Sequence, residues 1–129
     1  MTAPHILIID DNQHNILVLE QLLRMEDIQS RRLASTNQLE AKLDEFREVD
    51  IVFLDLEMPA LNGYEALTVL RDHLVTKNAK IIAYSVHTSQ VSTAMARGFD
   101  GFLGKPLDAE AFPQQLEKIL NGETIRYIP

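Results

Sequence analysis

The chain contains no cysteine and no tryptophan. The missing thiols exclude a disulfide framework, a thiolate zinc site and a cysteine nucleophile, and they fit a reducing compartment. Long apolar runs are missing too: nothing approaches the ~18 residues needed to cross a bilayer. Residues 1–5 carry no basic n-region, and the apolar run that follows is too short for a signal-peptide core. A cytoplasmic protein is therefore expected. Positive charge is scarce, with 12 Lys and Arg against 19 Asp and Glu and a formal net charge of −7. That sign argues against nucleic acid and against an anionic membrane as partners. What is present is ordinary: 129 residues, 46% hydrophobic and 24% charged. A chain of that size forms one domain and buries roughly two-thirds of its unfolded surface, so it needs no covalent staple.

Short apolar runs alternate with amphipathic ones. Ile6-Leu7-Ile8-Ile9, ended by Asp10 and Asp11, reads as a strand buried on both faces, and so does Ile51-Val52-Phe53-Leu54, ended by Asp55. Residues 28–34 are more polar, with Arg31 and Arg32, as an edge strand would be. Residues 80–84 and 99–103 complete the strands. Between them Ile16, Leu19, Leu22 and Leu23, then Leu39, Leu43 and Phe46, then Leu67, Leu70 and Leu74 fall at helical spacing. Residues 87–97 form a weak helix of small residues closed by Gly98, and Leu116, Ile119 and Leu120 mark the last helix. Ser35-Thr36-Asn37 with Glu40 is helix-cap chemistry, Asp108 is a cap for the final helix, and Pro113 makes its first turn irregular. Five βα units in succession predict an α/β fold, a doubly wound parallel sheet with helices on both faces. The expectation is a single domain with its core over 5–120, a short tail over 121–129 and no output domain.

The acids carry the chemistry. Ligands of an open parallel sheet bind beyond the carboxyl ends of the strands, where strand order reverses. With strand order 2-1-3-4-5, Asp10, Asp11 and Asp55 converge at that point. One acid at a strand end is usually a solvated cap; three in one concavity repel, and are tolerable chiefly around a cation. Oxygen ligands without thiolate or paired histidine point to a hard ion, Mg²⁺ first among them. His5, His14, His73 and His87 show no i, i+3 or i, i+4 pairing. Ser85 beyond the fourth strand and Lys105 beyond the fifth reach the same rim. Carboxylate, divalent cation, ammonium and hydroxyl are the parts of phosphoryl transfer to a carboxylate nucleophile.

These residues in this order resemble the receiver domain of two-component response regulators. The resemblance rests on Asp10-Asp11, on Asp55 with its Met58-Pro59-Ala60-Leu61-Asn62-Gly63 loop, on Ser85 and on Lys105-Pro106. Their spacings are 44 residues from Asp11 to Asp55, 30 to Ser85 and 20 to Lys105. It covers the chain from about His5 to Leu120. It implies a flavodoxin-like, five-stranded (βα)5 fold of order 2-1-3-4-5. It implies Asp55 as phosphoacceptor, with Mg²⁺ held directly by Asp11 and Asp55, by Asp10 through water, and by the Glu57 main-chain carbonyl. Lys105 would pair with Asp55 and then with the phosphoryl group, Ser85 would hydrogen-bond a phosphoryl oxygen, and the Lys105-Pro106 bond would be cis. Phe102 stands where the family keeps a switching aromatic, and Glu57 and His87 at positions that help set hydrolysis rate. The implied partners are a sensor histidine kinase or histidine phosphotransfer protein and an unnamed downstream protein, met by the helix 4–strand 5–helix 5 face of a monomer or of a weak homodimer formed on phosphorylation.

Two other functions share the chemistry or the fold. A phosphohydrolase with an aspartyl-phosphate intermediate would want Asp-x-Asp after the first strand, where this chain has adjacent Asp10-Asp11. A docking module that ignores phosphate would have no need of intact acids, Ser85 and Lys105. Neither a Gly-x-Gly-x-x-Gly fingerprint nor a P-loop follows the first strand, which disfavours a nucleotide binder.

Overall fold

The computed structural model describes residues 3–129, so Met1 and Thr2 of the N-terminal reading lie outside it. Six parallel strands run β1 (Ile6–Ile9), β2 (Ser30–Leu33), β3 (Ile51–Asp55), β4 (Lys80–Ser85), β5 (Gly101–Gly104) and β6 (Ile125–Tyr127) in chain order. They pair in the spatial order β2-β1-β3-β4-β5-β6. Between them lie α1 (Gln13–Arg24), α2 (Leu39–Leu43), α3 (Gly63–Asp72), α4 (Val91–Arg97) and α5 (Phe112–Leu120).

Strand alternation divides the core into two layers. Leu7, Ile9, Val52, Leu54, Ile81, Ala83 and Phe102 pack under α2, α3 and α4. Ile6, Ile8, Ile51, Phe53, Ile82, Tyr84 and Leu103 pack under α1 and α5. Each of the larger side chains contributes about 1.5–3 kcal/mol by leaving water, and that requirement holds β1 and β3 in the middle of the sheet. β2, with Arg31 and Arg32 outward, is an edge strand as its polarity predicts.

The sheet corrects the expected strand count. Residues read as a tail supply β6, which pairs in parallel with β5 from Gly101↔Ile125 to Leu103↔Tyr127. Gly122 at φ 81° turns the chain out of α5 toward it. Two glycines of β5 make room: a Cβ on Gly101 would lie 2.7 Å from Ile125 Cγ2, and one on Gly104 2.6 Å from Pro129 Cδ. β5 is therefore an inner strand.

The helix caps differ from the sequence reading in two places. The expected cap before α2 does not form; Gln38 precedes that helix in a left-handed conformation without a side-chain cap bond. Thr36 instead ties two loops, its hydroxyl donating to Leu61 O at 2.9 Å and accepting from Leu61 N at 2.7 Å. The capping box of this sheet face belongs to α3, where Asn62 and Glu65 satisfy each other's backbone N–H groups. Nor does Asp108 cap α5 itself, whose N-cap is Ala111 without a side-chain bond; Asp108 instead closes the turn before it, accepting from Glu110 N at 2.9 Å, and Pro113 sits in the first turn, where its missing N–H costs nothing. The weak fourth helix opens as one 3-10 turn over Thr88–Gln90.

Gly63 sets the loop after β3 through close approach. Its N–H donates to Leu56 O at 2.9 Å, and a Cβ there would lie 2.7 Å from Leu56 Cα. Backbone cannot yield as a side-chain tip can. Gly63→Ala is expected to cost roughly 2–4 kcal/mol of stability in urea denaturation. A cost below about 0.5 kcal/mol would show that the loop relaxes freely.

Candidate functional site

The five side chains expected to carry the chemistry lie at the carboxyl ends of strands. Asp10 and Asp11 follow β1, Asp55 ends β3, Ser85 ends β4 and Lys105 follows β5. β1 and β3 are neighbours at the reversal of strand order, so the two acidic segments meet there. One carboxylate oxygen from each of Asp10, Asp11 and Asp55 lies within 4.8 Å of the others. Asp10 is fully buried and Asp55 nearly so, whereas Asp11 is exposed.

The ammonium of Lys105 answers the buried pair. Its Nζ stands 3.3 Å from Asp10 Oδ2 and 3.6 Å from Asp55 Oδ1, so it leans on Asp10 more closely than on the expected Asp55. The backbone bond from Lys105 N to Ser85 O, at 2.8 Å, starts the segment, and the Lys105-Pro106 peptide is cis, as the resemblance implies.

Tyr84 is the residue that sequence reasoning missed. Its hydroxyl donates to Asp10 Oδ2 at 2.6 Å, and its ring lies 4.3 Å below Lys105 Nζ. A buried phenol needs a partner, and a tyrosine one residue before Ser85 in a buried strand was the available signal. Asp10 Oδ1 accepts from Asn12 N at 2.8 Å, so both Asp10 oxygens are engaged.

These partners split the two carboxyls. Burial pushes the Asp55 carboxyl up to about 7, with the Asp10 charge adding to the shift and Lys105 opposing it. Burial also pushes Asp10 up, but the Tyr84 hydroxyl, the Asn12 amide and Lys105 outweigh it and hold that carboxyl below the ordinary range. The consequences for stability have opposite signs. The raised Asp55 contributes stability that is full below its unfolded value and lost as pH rises through about 7. The lowered Asp10 contributes stability that is present above its unfolded value and lost as pH falls through its folded one. In chelator, the melting temperature is therefore expected to fall by several degrees from about pH 5.5 to about pH 8. Asp55→Asn should flatten that slope. An equal slope in the variant would contradict the assignment.

The other expected residues fall as follows. Ser85 is fully buried at the rim, and its hydroxyl donates to Glu57 Oε1 at 2.9 Å and Oε2 at 3.0 Å. The Glu57 N–H donates to Asp55 Oδ1 at 3.3 Å. Phe102 is fully buried against Ala83, two residues below Ser85, in an inward position. His87 is exposed; its backbone N–H donates to Ser85 Oγ at 2.9 Å. At the other end of the sheet, His5, Glu48 and Asp50 also lie together, a grouping that helical-spacing rules do not search for. The His5–Glu48 pair is mostly exposed and at 3.4 Å. The broad groove beside it holds none of the three site acids.

Known proteins share this sequence pattern and this fold. The family model described as the response regulator receiver domain matches residues 6–117. The nitrate/nitrite response regulator NarL of Escherichia coli is 34% identical over 121 residues, which span 93% of this chain and 56% of NarL. The chain thus spans about half the length of that relative. The receiver domain of a CheY-like response regulator from Methylobacillus flagellatus superposes with a TM-score of 0.78 at 28% identity, over 92% of this chain and 99% of that one. The receiver domain of a Pseudomonas aeruginosa sensor histidine kinase, which has a magnesium ion coordinated in its active-site cleft, superposes at 0.80 with 24% identity, over 93% and 99%. The doubly wound sheet is thus the one these domains share, and with a family match running from β1 into α5 the chain belongs to the response regulator receiver domains, the phosphoacceptor modules of two-component signalling.

Proposed function

We propose that this chain works as a receiver domain, taking a phosphoryl group on Asp55 from a histidine kinase or histidine phosphotransfer protein. The observation that carries the reading is the meeting of Asp10, Asp11 and Asp55 within 4.8 Å, with Lys105 Nζ against two of them. In the transfer, an Asp55 carboxylate oxygen bonds to phosphorus while the N–P bond of a phosphohistidine breaks and the imidazole leaves with the electron pair. Lys105 faces the charge that gathers on the phosphoryl oxygens, and the Ser85 hydroxyl supplies a donor to one of them. The donor set fits Mg²⁺, being carboxylate oxygen with neither thiolate nor imidazole among its members. Asp11, Asp55 and the Glu57 carbonyl would hold it directly and Asp10 through water. When bound it would neutralise the transferred oxygens.

Phosphorylation takes Asp55 from about −1 to about −2 and adds strong acceptors. Ser85 moves toward them, and the readout is the face of α4, β5 and α5, where Phe102 lies inward. A phenylalanine loses no hydrogen bond on burial, so this state is favoured over that of a tyrosine. The downstream protein docks on that face. The site works in the cytoplasm, in a monomer or a weak dimer formed on phosphorylation.

Acetyl phosphate with Mg²⁺ tests the reading. One base-labile phosphoryl group per chain, absent from Asp55→Asn, is expected by intact mass. Release of many equivalents of phosphate would make the chain a phosphohydrolase, and no incorporation would make it a bare docking module.

A further inference from the structure

Ser85 has one hydroxyl proton, and in the resting domain it is taken. The proton points to the Glu57 carboxylate, shared between Oε1 at 2.9 Å and Oε2 at 3.0 Å, while the oxygen accepts from His87 N at 2.9 Å. A hydroxyl donates once, so it cannot serve Glu57 and a phosphoryl oxygen together. Both competitors are anions on one short segment: Glu57 lies two residues past Asp55, with its N–H on Asp55 Oδ1. The competitors differ in freedom. Ser85 is fully buried at the end of β4, so its hydroxyl stays inside the site whichever anion it serves, whereas Glu57 is an exposed residue that can turn out into water.

Resting on the phosphoacceptor reading above, we propose that the Glu57 side chain is a latch on Ser85. It occupies the place a phosphoryl oxygen would take, holds the hydroxyl in the resting state, and must be expelled when a tetrahedral anion forms on Asp55. Glu57 is thus a positioning residue that sets how readily the site accepts an anion, separately from its main-chain carbonyl. A charge-assisted hydrogen bond is about twice as strong as a neutral one. Loss of that bond on expulsion is expected to weaken anion binding about tenfold.

The test is the affinity of the Mg²⁺-loaded domain for beryllium fluoride, a tetrahedral anion mimic, followed by NMR. Asp55→Asn defines site-specific binding. Glu57→Ala should bind about tenfold more tightly, and Glu57→Gln should fall between, since its amide oxygen still accepts from Ser85 without the charge. In a Ser85→Ala background the gain from Glu57→Ala should vanish. The His87 amide resonance should also move in Glu57→Ala before any mimic is added, because the hydroxyl it donates to is released. Unchanged affinity in Glu57→Ala overturns the latch. A full gain that survives in Ser85→Ala overturns it too, leaving Glu57 a simple repulsive charge. If neither the parent domain nor Glu57→Ala binds the mimic in an Asp55-dependent way, the phosphoacceptor reading itself fails and the latch with it.

Discussion

Asp11→Ala is expected to lose at least about a hundredfold in Mg²⁺ affinity. Even outer-sphere substitutions typically cost 10–100-fold, and Asp11 would be a direct ligand. The exposure of Asp11 sharpens this. Among the three clustered acids it is the one with solvent access, so its removal empties a ligand position while leaving the buried pair Asp10 and Asp55 in place. Asp10→Ala should cost less affinity and more stability. Both Asp10 oxygens already serve Asn12, Tyr84 and Lys105, and taking away one member of a buried ion pair costs roughly 3–5 kcal/mol. Calorimetry is the suitable assay, because the chain has no tryptophan to report by fluorescence. Unchanged affinity in Asp11→Ala would remove the metal assignment.

Lys105→Ala should separate stability from metal binding in the opposite sense. Its ammonium stands between two buried carboxylates and lowers the proton affinity of both. Without it the metal-free domain at about pH 8 is expected to lose roughly 3–5 kcal/mol, a large part of the 5–15 kcal/mol typical of a domain. Divalent cation should restore much of that and bind more tightly than before, since a competing positive charge has gone. Phosphoryl uptake from a small donor should nevertheless fall about a hundredfold, because the group that answers the transferred oxygens is missing. A variant with full metal-free stability would show that Lys105 does not hold the acids together.

How far these features could be read beforehand depends on the range of the force involved. Ile6–Ile9 and Ile51–Asp55 are strands because a continuous apolar run must be buried on both faces, and the acid that ends each run marks the strand's carboxyl end. Strand positions then bring the acids together with no side-chain detail. β6 escaped because three residues carry no period, and Arg126 interrupts its apolar pair. The signal lay instead in its partner, where Gly101 and Gly104 leave room for another backbone. The cap before α2 was misplaced because Ser, Thr and Asn serve loops as readily as helices, and Thr36 found Leu61, 25 residues away. The bonds of Tyr84 to Asp10 and of Ser85 to Glu57 join residues 74 and 28 apart, so only the folded register could reveal them.

The central claim is that Asp55 is the group that carries phosphate. Borohydride trapping after exposure to acetyl phosphate and Mg²⁺ tests it most directly, because reduction of an acyl phosphate leaves an alcohol at the residue that held it. Peptide mass spectrometry is predicted to find homoserine at position 55, none at positions 10 or 11, and no glutamate reduced to its alcohol at position 57. Reduction at another carboxylate, or at none in a folded protein that binds Mg²⁺, would contradict the account.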